Sequence, residues 1–153
     1  MTSSTPGYAF LTKAEELFRM GYNCSQSVIG AVCEDFGYDF DTAVKIAEGF
    51  GGGMGRMRLT CGAVSGMVMA TGMLMSSGKA YEDTRAKVYA KVKELADRFK
   101  AENGTIVCAE LLNLDKPKDY NPTPDARTDE YYKKRPCVEL VKECVKIIED
   151  ELL

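Results

Sequence analysis

The chain contains no histidine, which removes the commonest general base, the usual haem ligand and every mixed cysteine/histidine zinc or Rieske-type site. Whatever chemistry it performs runs on sulfur. No two cysteines stand in C-x-x-C spacing, which argues against a zinc ribbon, a thioredoxin-type active site and the ferredoxin ligand runs. Sustained apolar/polar alternation is missing as well, so nothing signals half-buried strands. A basic patch is also lacking: the 20 Lys and Arg are interleaved with 23 Asp and Glu, and nucleic acid is not an expected partner. The opening MTSSTPGY has neither a basic n-region nor an apolar h-region, so export is not signalled and the cytoplasm is the expected compartment. In that compartment the six cysteines are more often thiols, metal ligands or redox centres than structural disulfides.

What is present begins with bulk. At 153 residues and 45 % hydrophobic content, the chain suits one domain over 1–153 with a core large enough to fold without staples. Its centre is Gly49 to Met75, GFGGGMGRMRLTCGAVSGMVMATGMLM. Gly62, Gly66 and Ala70 lie four apart, so on a helix they form a smooth stripe that admits another backbone closely. The uncharged run from Leu59 to Gly78 is long enough to cross a bilayer, but Thr60, Ser65, Thr71, Ser76, Ser77 and several glycines dilute it, and no membrane span is expected. The glycines Gly51, Gly52, Gly53 and Gly55 fit no register of G-x-G-x-x-G, lack the lysine of a phosphate loop, and follow a helix instead of a strand. They are read as close backbone packing beside Cys61. Arg56 and Arg58 either put positive charge near that thiol or lie on the surface.

Around this centre the periodicity is helical. Phe10, Leu11, Ala14, Leu17 and Phe18 mark a first helix, starting at Thr5-Pro6 or at a Thr12/Glu15 capping box and ending near Gly21. Asn23 with Gln26 caps a second, whose inner face is Val28, Ile29, Val32, Cys33 and Phe36, and Gly37 stops it. A third starts after Asp39 or Asp41 and turns Ala43, Val44, Ile46 and Ala47 inward. Beyond the central helix, Tyr81, Val88, Tyr89, Val92, Leu95, Ala96 and Phe99 mark a long amphipathic helix closed by Gly104. Thr105 opens a short helix, Ile106 to Leu112; residues 113–135 read as largely loop; and Pro136 starts a last helix that buries Cys137, Leu140, Val141, Cys144, Ile147 or Ile148, and Leu152. The expected fold is an all-α, single-domain helical bundle of about five to seven helices around the small-residue-rich one. Asp and Glu fall on solvated faces and in the polar loop, which gives carboxylate catalysis no support.

Four cysteines, Cys24, Cys61, Cys108 and Cys137, each fall in a first helical turn after Asn23, Thr60, Thr105 and Pro136 respectively. Helix N-termini converging there would gather low-pKa thiols among N–H donors, a cage suited to a soft cation or a cluster. Cys33 and Cys144 sit mid-helix on apolar stripes and read as core, with Cys144 a candidate supporting or resolving thiol.

Asn23-Cys24, the segment Gly51 to Gly55, Cys61-Gly62-Ala63-x-x-Gly66, and the single Cys108 and Cys137 resemble the C_GCAxxG_C_C family of redox-active prokaryotic proteins. This chain has Thr60 where the family label writes glycine. The resemblance covers nearly the whole chain and implies a small helical redox domain whose family cysteines match Cys24, Cys61, Cys108 and Cys137. A more distant likeness to the cluster domain of split-Soret cytochrome c favours an iron–sulfur site; haem is not carried over, because C-x-x-C-H is absent. The leading expectation is therefore four thiolates holding a [2Fe–2S]-type cluster for electron transfer or redox sensing, with Gly52, Gly53, Gly62 and Gly66 letting backbone crowd the sulfurs. A metal-free reading makes Cys61 an attacking thiolate resolved by Cys24, Cys108 or Cys137. A third places structural zinc on the same thiolates in an interaction module. A fourth is a plain helical domain that dimerises through its small-residue stripes. A redox partner protein is expected, and a homodimer is a further candidate.

Overall fold

The structure, a computed structural model, describes residues 6–80, 84–113, 123–134 and 136–153. Over these the chain is all-helical, with eight α-helices: α1 Pro6–Arg19, α2 Cys24–Val32, α3 Phe40–Ala47, α4 Gly62–Met75, α5 Thr84–Asn103, α6 Cys108–Leu111, α7 Asp129–Lys134 and α8 Cys137–Leu152. Extended pairing among the described residues is limited to one antiparallel bridge, Thr60 with Val107. No helix among them is long and apolar enough to cross a membrane.

The helix boundaries follow local chemistry. Asn23 caps α2 reciprocally: its Oδ1 accepts from the Gln26 amide at 3.0 Å, and Gln26 Oε1 accepts from the Asn23 amide at 3.0 Å, which satisfies two orphan donors of the first turn. Asp39 caps α3 by accepting from the Thr42 amide at 2.8 Å. After α2 the chain tightens into a 3-10 turn, Cys33–Phe36, and Gly37 leaves it with φ +88°. The first helix starts at Pro6, the earlier of the two expected starts. Tyr81 and, within the expected loop, residues 114–122 and 135 lie outside the described residues; the stretch expected to be largely loop does contain α7.

Packing centres on α2 and α4. The helix α2 lies against α1, α3, α4 and α8, while α4 lies against α2, α5 and α8. Phe18, Ile29, Met67, Leu95, Phe99, Ile147 and Ile148 are among the largest side chains fully enclosed by this arrangement. Close approach of the axis pair depends on Gly66, where an added Cβ would stand 2.8 Å from Val28 Cβ and 3.0 Å from the Ser25 carbonyl oxygen. Two expectations are corrected. Ile46 is 62 % exposed, because α3 is covered on one side only and that side is taken by Ala43, Val44 and Ala47. Tyr89 is likewise 62 % exposed, since burial in α5 is confined to Leu95 and Phe99.

Gly66→Ala should lower stability by about 1–3 kcal/mol, the ordinary effect of inserting a methyl group into a packed interface. Urea denaturation followed by far-ultraviolet circular dichroism measures this; an unchanged midpoint would mean that the two helices have slack between them.

Candidate functional site

The bridge between Thr60 and Val107 brings two thiols together. Around it, the Cys61 amide donates to the Ile106 carbonyl at 2.7 Å, the Cys108 amide to the Leu59 carbonyl at 2.6 Å, and the Ala109 amide to the Arg58 carbonyl at 3.2 Å. From this clamp α4 and α6 depart together, with Cys61 as the N-cap residue of α4 and Cys108 as the first residue of α6. The cap of α6 is Val107, not Thr105; the Thr105 hydroxyl accepts from the Val107 amide at 3.1 Å, one turn earlier. Cys24 is the first residue of α2 and Cys137 the first of α8. All four cysteines line one cavity of about 330 Å³. Cys33 and Cys144 are wholly buried in the core, although Cys144 is near enough to Cys61 and Cys24 for their charges to couple. All six are free thiols.

Glycine lets the backbone crowd this cavity. A Cβ on Gly62 would stand 2.5 Å from Cys24 Sγ and 2.9 Å from the Phe50 carbonyl oxygen; one on Gly53 would stand 2.6 Å from the Leu59 nitrogen and 2.7 Å from Cys108 Cβ. Through Gly53 the glycine loop packs against Cys108 and through the Gly52 amide it acts on Cys24, while Gly51, Gly52 and Gly55 line the same cavity as Cys61, the neighbour the sequence pointed to. The loop does so through a left-handed turn, with φ of +66°, +73°, +67°, +57° and +62° from Gly52 to Arg56 and +61° at Arg58. Three of those positions, Met54, Arg56 and Arg58, are not glycine, and each such residue costs about 1–2 kcal/mol in this conformation. Cross-loop hydrogen bonds hold it: Arg58 N–H to Gly52 O at 3.1 Å and Leu59 N–H to Gly53 O at 2.9 Å.

Burial governs the thiols. It pushes Cys24 up from the ordinary thiol range, against the pull of the Gly52 amide and the amides of α2's first residues. It pushes Cys61 up as well, with the neighbouring Cys24 adding to the rise and the Val64 and Ala63 amides opposing it. Low-pKa thiols were the expectation from helix N-termini, and at Cys24 and Cys61 the structure corrects it: the amides are present, but removal of water outweighs them. Cys61 therefore fits poorly as a free attacking thiolate.

The remaining walls carry charge and aromatics. Arg58 is 9 % exposed and its Nη1 lies 3.7 Å from Cys108 Sγ. Arg56 reaches the Thr123 carbonyl and, at 3.5 Å, Asp125. Arg127 stacks 4.2 Å from the Phe18 ring centroid and donates to the carbonyls of Phe18 at 2.6 Å and Tyr22 at 3.0 Å. Those arginines fasten the segment that brings Pro124, Asp125, Arg127 and Tyr131 to the cavity wall. Sequence reasoning missed Arg127 altogether, for its partners are about a hundred residues away. Among the described residues no three His, Cys, Asp or Glu side chains are arranged to hold a single metal ion.

An all-helical protein in which four helix-start cysteines share a glycine-crowded, arginine-walled cavity is the class these features define. A family model described as "Putative redox-active protein (C_GCAxxG_C_C)" matches residues 22–151, and the chain belongs to that family. No match to a curated protein or to a solved structure accompanies it.

In the reduced chain without metal, Cys24 and Cys61 have folded pKa values above their unfolded ones. The stability they contribute is complete below about pH 8.5, the unfolded thiol value, and declines as pH rises beyond it. Urea denaturation from pH 7 to 10 should show the decline, with native-state alkylation of Cys61 slower than that of a model thiol throughout. Rapid alkylation of Cys61 at pH 7 would contradict the dominance of burial.

Proposed function

We infer that Cys24, Cys61, Cys108 and Cys137 together ligate an iron–sulfur cluster of [2Fe–2S] type, and that the protein uses it for electron transfer or redox sensing with a partner protein. The observation that carries this reading is the meeting of four thiols from four helix starts on one cavity. The donor set fits: sulfur from four cysteines is the ordinary ligand complement of such a cluster. So does the cradle, because Gly62 and Gly53 leave unfilled the volumes in which a side chain would strike Cys24 and Cys108. Amides of Gly52, Ala63 and Val64 act on the sulfurs of Cys24 and Cys61, and donors of that kind stabilise sulfur-borne negative charge and tune potential.

Held by Cys24, Cys61, Cys108 and Cys137, such a cluster would supply a one-electron couple between a reduced and an oxidised partner. The chain's own part is to hold the ligands, keep water away and present donors. Ligation also answers the problem that burial creates, since a coordinated thiol loses its proton to the metal and its charge is shared. A reducing, cytoplasmic setting suits thiols kept free for this purpose.

Spacing favours a cluster over zinc. A mononuclear zinc site needs its sulfurs about 2.3 Å from a single point, and no such grouping exists among the described residues. A cluster distributes its ligands over more than one metal atom.

Purified without oxygen, the protein should be coloured, contain iron and acid-labile sulfide in equal amounts, and give a reduced-state electron paramagnetic resonance signal. Serine at Cys24, Cys61, Cys108 or Cys137 should reduce the iron content severalfold, whereas Cys33→Ser should leave it nearly intact. Colourless, iron-free protein, with or without zinc, would sink the reading.

A further inference from the structure

The geometry points to Arg58 as a positioning residue for Cys108, its fixed charge neutralising the sulfur of a cluster-bound thiolate and raising the cluster's reduction potential. This rests on the ligand assignment above. Arg58 is almost fully buried, and its side chain has Cys108 Sγ as a neighbour at 3.7 Å. Among the described residues no carboxylate pairs with it, in contrast to Arg56 beside Asp125 and Arg98 between Asp150 and Glu151. A guanidinium taken out of water is expensive to leave uncompensated. A neutral thiol offers no counter-charge, but a thiolate bound to an anionic cluster does.

The backbone is built to hold the group there. Arg58 occupies a left-handed conformation, φ +61°, that a non-glycine residue adopts only when its surroundings impose it. They do so from both sides: its amide donates to Gly52 O at 3.1 Å, and its carbonyl accepts from the Ala109 amide at 3.2 Å, one residue past Cys108. The residue that carries the charge and the residue that carries the sulfur are thus fastened by the same short backbone pairing. Reduction adds negative charge to the cluster and its sulfurs, so a fixed cation at that distance favours the reduced form. The hydrogen bond to sulfur acts in the same direction.

The test compares wild type with Arg58→Met, Arg58→Gln and Arg58→Lys, prepared without oxygen. Folding is checked by circular dichroism, loading by iron and sulfide, and potential by dye-mediated dithionite titration, in which one electron enters per cluster. Loaded Arg58→Met and Arg58→Gln should favour the reduced state about tenfold less than wild type, a lowering of about 59 mV for one electron. Arg58→Lys should recover much of the difference. Should the neutral variants fold but fail to load while Arg58→Lys loads, the need for the charge is shown by that loss. Loaded neutral variants with unchanged potential would overturn the inference while leaving the ligand assignment intact. Wild type without iron and sulfide would overturn both.

Discussion

The site depends on one constraint: at Gly62 there is no side chain, and the space it would fill belongs to the sulfur of Cys24. Two helix starts are thereby brought into contact at their most polar ends, where backbone N–H groups have no partner within the helix. Gly66, one turn on, repeats the arrangement against Val28 and Ser25, so α2 and α4 lie close along several residues and carry Cys24 and Cys61 with them. The capping box at Asn23 then fixes where α2 begins. Ser25 and Gln26 tie that end to α3 by donating to the carbonyls of Ala47 at 2.7 Å and Val44 at 3.0 Å. Packing and capping act on the same few residues, and a change in either moves a thiol.

Cys108 is positioned by a different device. Cys108 has neither a strong cap nor a long helix to place it; α6 is only four residues. It depends on the pairing of residues 58–61 with 106–109, which in turn depends on the left-handed turn before it. That turn is strained at Met54, Arg56 and Arg58. It persists because hydrogen bonds across the loop and the tight fit of Gly53 against Leu59, Arg58 and Cys108 leave no easier path. Strain that the surroundings over-determine is found where geometry serves a site, and here it aims both a buried guanidinium and an amide at sulfur.

How much of this could be read beforehand varies with the range of the cause. Asn23 and Gln26 announce the start of α2 because a capping box is local, and the Gly62, Gly66 and Ala70 stripe announces a close contact because its period is that of the helix. Thr105 misled by two residues, since its hydroxyl closes a turn ahead of α6 and leaves the cap to Val107. That the glycine loop packs against Cys108 could not be inferred, as proximity along the chain suggested Cys61 and only the bridge reveals Cys108. Arg127 gave no signal at all: its role is to stack on Phe18 and hold one carbonyl at the end of the first helix and one in the turn after it, contacts that exist only after the fold has closed. The direction of the thiol pKa values was misjudged for a related reason. A helix N-terminus is visible in sequence, whereas the extent of burial is a property of the whole core.

These two effects, taken together, set the conditions that the proposed occupant has to meet. N-terminal amides and a buried arginine favour negative charge on sulfur, but the same enclosure makes an isolated thiolate unfavourable. Neither demand is met by neutral thiols, which leave Arg58 without a counter-ion, nor by free thiolates, which leave Cys24 and Cys61 charged in an apolar surround. Both are met by an occupant that removes the protons and spreads the resulting charge over several atoms while keeping the whole assembly anionic. Sulfur ligands on an iron–sulfur cluster satisfy that description, and a compact disulfide does not, because it carries no charge for the arginine to balance.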